Sequence, residues 1–227
     1  MEEAKKTNEI RGQEFITKYL TGKVIDIGAG NDLVCSWAER FDKEDGDANH
    51  ISQYREANSY DTVHSSHCLE HMYNPQDALA EWWKLIKPGG YLVVVVPDED
   101  LYEQGFWPSR FNKDHKATFT LKQQPSWSPV SYNVSDIVAA LPDAEVISAE
   151  IHDRYYDRDL QTKYPPPEIN PVPFGLKILR KICYTIPFAN KVLGKTVQDW
   201  IFATSHVPID QTLRGASAQI QVVAKKI

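Results

Sequence analysis

The sequence is poor in cysteine, in excess positive charge and in long apolar runs. Its 227 residues hold three cysteines, Cys35, Cys68 and Cys183, with no paired spacing. An odd, sparse set argues against a disulfide scaffold and suits a reducing compartment. Lys and Arg number 25 against 31 Asp and Glu, a formal charge of -6, so the basic face of a nucleic-acid binder is not expected. No apolar run reaches the ~18–20 residues that cross a bilayer. The opening MEEAKKTNEIRGQEF has no apolar core of a secretory signal. These absences point to a cytoplasmic protein, and 42% hydrophobic residues suffice for one well-filled globular core.

What is present alternates short β-like runs with helical stretches, the pattern of a parallel sheet covered by helices on both faces. Residues 8–20 predict an amphipathic opening helix with Ile10, Phe15, Ile16 and Tyr19 on its apolar stripe. Lys23 to Ile27 reads as a buried first strand, and Tyr60 to Ser65 as another. Asn74-Pro75 supplies an N-cap and an N1 proline for the helix that Lys87-Pro88-Gly89-Gly90 ends. Tyr91 to Val96 (YLVVVV) is apolar throughout, as a central strand buried on both faces should be. Beyond it come an irregular aromatic segment, a short helix near 134–141, a strand near 144–151 and a proline-rich connector at 164–173. A basic, apolar stretch at 174–203 is broken at Pro187, and residues 218–224 read as a final strand.

Asp26-Ile27-Gly28-Ala29-Gly30-Asn31-Asp32 stands where the first strand ends and a helix is expected. Its two glycines allow a sharp turn and close backbone approach to a ligand. The dinucleotide fingerprint also needs a glycine three residues after the second, where Leu33 stands, so a nicotinamide oxidoreductase is the weaker alternative.

Strand–Asp-Ile-Gly-Ala-Gly, then Tyr-Asp-Thr-Val leading into Leu-Glu-His, then Lys-Pro-Gly-Gly before a strand, resemble in order and spacing the landmarks of class I S-adenosylmethionine (SAM) dependent methyltransferases. The resemblance covers roughly residues 8–100 and the last strand. It implies an α/β fold, a doubly wound seven-stranded Rossmann-like sheet. The chain then divides into a SAM-binding core (1–160), an inserted C-terminal helical cap (161–212) and the final core strand (213–227). It further implies that Gly28, Ala29 and Gly30 lie against the methionine part of SAM, and that Asp26 anchors the loop and faces the sulfonium or amino end. Asp42 would take the ribose hydroxyls, Asp47 and Ala48 would meet adenine, and Ser65 and Ser66 would flank the methionyl chain. Arg11 would pair with the cofactor carboxylate. Two departures stand out: Asp32 occupies a place often held by glycine, and the interval from Asp42 to Asp47 is short, as if a helix were deleted.

Methyl transfer to a hydroxyl needs a base or a metal near the acceptor. His67, Glu70 and His71 have the spacing i, i+3, i+4, which on a helix would share one face. His-x-x-Glu-His is therefore competent to hold a divalent metal or to supply a carboxylate-oriented base. The stretch resembles the ubiquinone-pathway O-methyltransferases, in which a Glu-x-x-Glu-His run holds a divalent ion. His115, in the irregular segment where this fold places acceptor-contacting loops, is a further base candidate. The expectation is O-methylation of a small molecule, a sugar or nucleotide-linked sugar of polysaccharide biosynthesis. A catalytically silent, regulatory SAM binder is the alternative. The basic amphipathic stretch 174–204 is read either as a lid whose lysines meet a phosphate on the acceptor or as a peripheral membrane contact.

Overall fold

The computed structural model describes residues 3–123 and 125–227. Strand β1 (Val24–Ile27) lies between β2 (Glu39–Phe41) and β3 (Tyr60–Ser66), and β4 (Ile86–Pro97) follows β3, all parallel. The last strand, β8 (Gln219–Lys226), returns antiparallel to both β4 and β7 (Ala144–His152). The sheet order is β2-β1-β3-β4-β8-β7. A small second sheet joins β5 (Thr118–Thr120) and β6 (Ser131–Asn133).

The main sheet therefore has six strands among the described residues rather than the expected seven. The reason lies in the short acidic interval. After Phe41 the chain makes one 3-10 turn, Ala48–Gln53, before β3. No crossover helix and further strand fit there, since a parallel crossover takes a dozen or more residues, and β2 is left as the edge.

Helix α1 (Glu3–Tyr19) covers one face and breaks at Gly12, whose φ of 70° favours glycine. Helices α2 (Pro75–Lys84) and α3 (Val134–Ala139) cover the other. The Asn74 side chain caps α2 by accepting from the Gln76 and Asp77 N–H groups, with Pro75 at the first position. Trp82, Tyr60 and Phe41 fill the larger core, and β4 is buried without interruption from Leu92 to Pro97. Two further helices, α4 (Phe174–Thr185) and α5 (Pro187–Ser205), precede β8 and pack on each other through Leu176, Leu179, Cys183, Val197 and Ile201.

The helix expected after the glycine turn is absent: residues 28–38 form turns and bends. Eleven residues separate β1 from β2, and carboxylates organise them in place of helical hydrogen bonds. Asp26 Oδ2 accepts from the Val34 N–H at 2.7 Å, and Asp42 Oδ2 accepts from the Gly30 N–H at 2.6 Å.

Candidate active site

Strand alternation sends Asp26 to the same face as Val24, toward α1, while Ile25 and Ile27 enter the opposite core. There Asp26 Oδ1 lies 2.6 Å from His64 Nδ1, and Arg11 Nη2 lies 3.1 Å from His64 Nε2. A guanidinium only donates, so His64 Nε2 is the acceptor and its Nδ1–H donates to Asp26. Burial lowers the His64 pKa against the pull of Asp26, leaving a neutral ring between a cation and an anion. Arg11 also donates from Nε to Gln221 Oε1 at 2.6 Å. Burial brings its pKa down to about 9, so it remains cationic at neutral pH. Asp26 thus anchors the loop with one oxygen and gives the other to His64, while Arg11 donates to Asn8, His64 and Gln221.

On the ligand side of the turn lies a cavity of about 880 Å³ whose lining includes Gly28, Asp42, Asp47, Ala48, Tyr54 and Cys68. At Gly28 the φ is 76°, and a Cβ would meet the Cys68 Cβ at 2.6 Å, so only glycine lets the turn close against Cys68. Ala29 and Gly30 form the turn itself; the Ala29 carbonyl accepts from the Asp32 N–H at 3.1 Å. Asp47 caps the following 3-10 turn by accepting from the Asn49 N–H, and the Asn49 bonds hold its carboxyl below the usual range. Burial pushes the Cys68 thiol up to about 12, so it is an apolar wall rather than a nucleophile. The cavity suits SAM in size, and the carboxylates of Asp42 and Asp47 stand in its wall. Ser66 Oγ is buried and has no hydrogen-bond partner among the described residues. Ser65, expected to flank the methionyl chain, is instead buried within β3 and donates to the Ile27 carbonyl.

A second cavity of about 330 Å³ adjoins the first, sharing His67, His71 and Asn112, and continues past Tyr102, Phe111 and His115. Leu69–His71 is a single 3-10 turn, and His67 has a left-handed φ of 53° before it. The expected common helical face of His67, Glu70 and His71 does not form. His67 Nε2 is directed to Gln219 Oε1 at 3.0 Å. Its Nδ1 nonetheless stays 3.7 Å from Glu70 Oε1, and the Nε2 atoms of His71 and His115 each lie 3.9 Å from the same oxygen. Their Nδ1 atoms are held from behind, His115 by Glu103 Oε1 at 2.7 Å and His71 by Asp114 Oδ2 at 3.1 Å. Glu70 is buried, and its Oε2 has no partner among the described residues. Burial pushes the Glu70 carboxyl up, but His67, His115 and His71 outweigh it and hold it below its ordinary value.

Sequence reasoning missed Glu103, Asp114, Gln219 and His64. Glu103 sits on a short helical turn, Glu99–Glu103, that only the fold brings against His115. His64 carries a legible signal, a polar residue at an inward position of a buried strand. Asp98 and Asp100, at the exit of β4, serve structure: Asp98 caps that helical turn, and Asp100 pairs with Lys122 and Trp127.

A family model described as a methyltransferase domain matches residues 11–127, more than half of the chain. Among solved structures, a SAM-dependent methyltransferase from Archaeoglobus fulgidus is similar over 100% of this chain and 95% of its own, with a TM-score of 0.50 and 15% identity. Another from Thermotoga maritima is 12% identical with a TM-score of 0.48, over the whole of both chains. At 15% identity the likeness to the first shows the fold alone. Among curated proteins, none matches the sequence.

Proposed function

The chain belongs to the methyltransferase domain family, and from that premise we propose that it methylates a hydroxyl oxygen of a small acceptor, a sugar or nucleotide-linked sugar of polysaccharide biosynthesis. SAM held in the larger cavity supplies an activated methyl group. Gly28, Asp42, Asp47 and Ala48 bind and orient it.

The observation that carries the reading is the buried Glu103–His115 pair, whose free ring nitrogen opens on the smaller cavity. Glu103 fixes the ring with the proton on Nδ1, so Nε2 presents its lone pair to the acceptor. With SAM bound, the methyl carbon would leave sulfur as the acceptor oxygen bonds to it, releasing S-adenosylhomocysteine, and the hydroxyl proton would pass to His115 Nε2. Tyr102 and Phe111, edge to face at 5.6 Å, offer apolar surface for a ring of the acceptor.

A second reading rests on a different observation. One nitrogen each of His71 and His115 and one oxygen of Glu70 lie within 4.8 Å of one another, and each ring is braced by a carboxylate, as metal-binding histidines are. The set fits a divalent cation, which would polarise the hydroxyl directly. In that case Glu70, His71 and His115 would hold the ion, with His67 Nδ1 3.7 Å from the same Glu70 oxygen. The test is methyl transfer from labelled SAM to a panel of free and nucleotide-linked sugars, with and without a chelator. Labelling that survives the chelator and is lost in His115→Gln supports the base; loss with the chelator supports the cation. No labelled product on any hydroxyl acceptor would overturn both.

A further inference from the structure

Helices α4 and α5 present to solvent what the rest of the molecule buries. Leu176 and Ile201, 25 positions apart in sequence, share one cluster, so α5 folds back on α4. The outward side of α4 carries Phe174, Ile178 and Ile182 at four-residue intervals, and that of α5 carries Phe188, Val192 and Trp200. Phe174 is 78% exposed and Phe188 77%. Residues that bury one apolar stripe against a partner helix normally show a polar face to water. Here a second apolar stripe is left open, and a contiguous exposed patch of this kind marks an interaction surface.

The cations decide what it meets. Segment 174–205 holds Lys177, Arg180, Lys181, Lys191 and Lys195 against one acid, Asp199, in a chain whose net charge is -6. At ~100° per residue these cations fall, on both helices, on the arc between the packed stripe and the exposed one. Two copies meeting through this face would bring like charges together. An anionic lipid surface takes both features at once: apolar side chains enter the acyl boundary while flanking lysines and arginines meet headgroup phosphates. Among the described residues no helix is long and apolar enough to cross a membrane, so the pair would lie on the surface.

We propose that α4 and α5 form a docking surface for an anionic bilayer. Docking would also place the acceptor cavity. Arg214 donates to Gln198 Oε1 at 3.0 Å and to Asp199 Oδ1 at 2.7 Å. Those bonds tie α5 to the turn Gln211–Arg214, whose Thr212 and Leu213 line the smaller cavity. A cavity mouth held beside the lipid surface suits an acceptor carried on a lipid.

The test is flotation of the full chain with vesicles of phosphatidylcholine alone or mixed with phosphatidylglycerol, across a salt series. It needs no acceptor, so it stands apart from the methyl-transfer assay. The expected result is binding to the mixed vesicles only, weakening as salt rises. Lys177→Glu with Lys181→Glu and Lys191→Glu should weaken partitioning by roughly fivefold or more per cation reversed. Phe174→Ser with Phe188→Ser should abolish it. All five side chains are exposed, and retained SAM binding by calorimetry confirms that the variants fold. Equal binding to phosphatidylcholine alone, or none to mixed vesicles at low salt, overturns the proposal. So does a dimer in sedimentation velocity that Phe188→Ser dissolves while vesicles go unbound.

Discussion

Two buried histidine–carboxylate pairs, Asp26–His64 and Glu103–His115, share nearly the same geometry, with Nδ1 to oxygen distances of 2.6 and 2.7 Å. They differ in what the far nitrogen meets. His64 Nε2 is closed off by Arg11, so every polar atom of that ring is spent inside the fold. His115 Nε2 opens on a cavity with Glu70 at 3.9 Å, a distance that leaves room for another atom between them. A carboxylate behind a histidine is thus not itself a mark of chemistry; the environment of the second nitrogen distinguishes brace from reagent.

The comparison breaks most visibly in stability. His64→Ala strands a buried carboxylate and a guanidinium that the ring had bridged, which should cost on the order of 3–5 kcal/mol. Urea unfolding should show the loss, and SAM binding should weaken with it because the same Asp26 holds the Val34 end of the glycine loop. A variant as stable as the parent would mean the sealed network is not a brace.

The opposite pattern is expected at the open pair. His115→Gln keeps a donor for Glu103 and so should unfold within about 1–2 kcal/mol of the parent. SAM affinity should stay unchanged while methyl transfer falls ~10²-fold or more. Calorimetry with SAM beside turnover on a working acceptor separates the two quantities. A stability loss as large as that of His64→Ala would erase the distinction.

Much of this was legible from residue order, for reasons tied to local physics. The apolar run at 91–96 and the Asn74-Pro75 helix start are short-range signals, and both stand where they were expected. The glycine turn was legible as a turn but not as a loop without a helix, because its shape depends on two carboxylates that reach it from outside. His67, Glu70 and His71 illustrate the same limit. Their spacing promised one helical face, yet with a left-handed backbone at His67 that ring sits between Glu70 and Gln219 of β8. The partner that completes the cluster, His115, lies 44 positions beyond His71, and only the sheet's crossover brings them together.

A smaller effect should sharpen the contrast between bracing and binding at Asp42, which braces the glycine loop and also faces the larger cavity. Its Oδ2 accepts from the Gly30 N–H, and the same side chain lines the cofactor cavity. Asp42→Ala removes a charged acceptor from both, and a charge-assisted hydrogen bond contributes about 1.5–3 kcal/mol, so SAM affinity should drop ~10- to 100-fold by calorimetry. An unchanged affinity would confine Asp42 to the loop.

Asp98 completes the comparison as a buried carboxylate with no histidine. Its Oδ1 accepts from the Asp100 and Leu101 N–H groups, but burial outweighs these and, with Asp100 and Glu99 nearby, raises the pKa to about 6. The folded state therefore holds this proton more tightly than the unfolded chain does. The stability it contributes is complete below an ordinary aspartate pKa near ~4 and is lost as pH rises through about 6. Asp98→Asn keeps the accepting oxygen and stays neutral at every pH. Above pH ~6 it should exceed the parent by on the order of 2 kcal/mol, and below pH ~4 the two urea curves should coincide. Were Asp98→Asn no more stable at neutral pH, this carboxylate would have to be matched by a positive partner after all, and burial would not be what raises it.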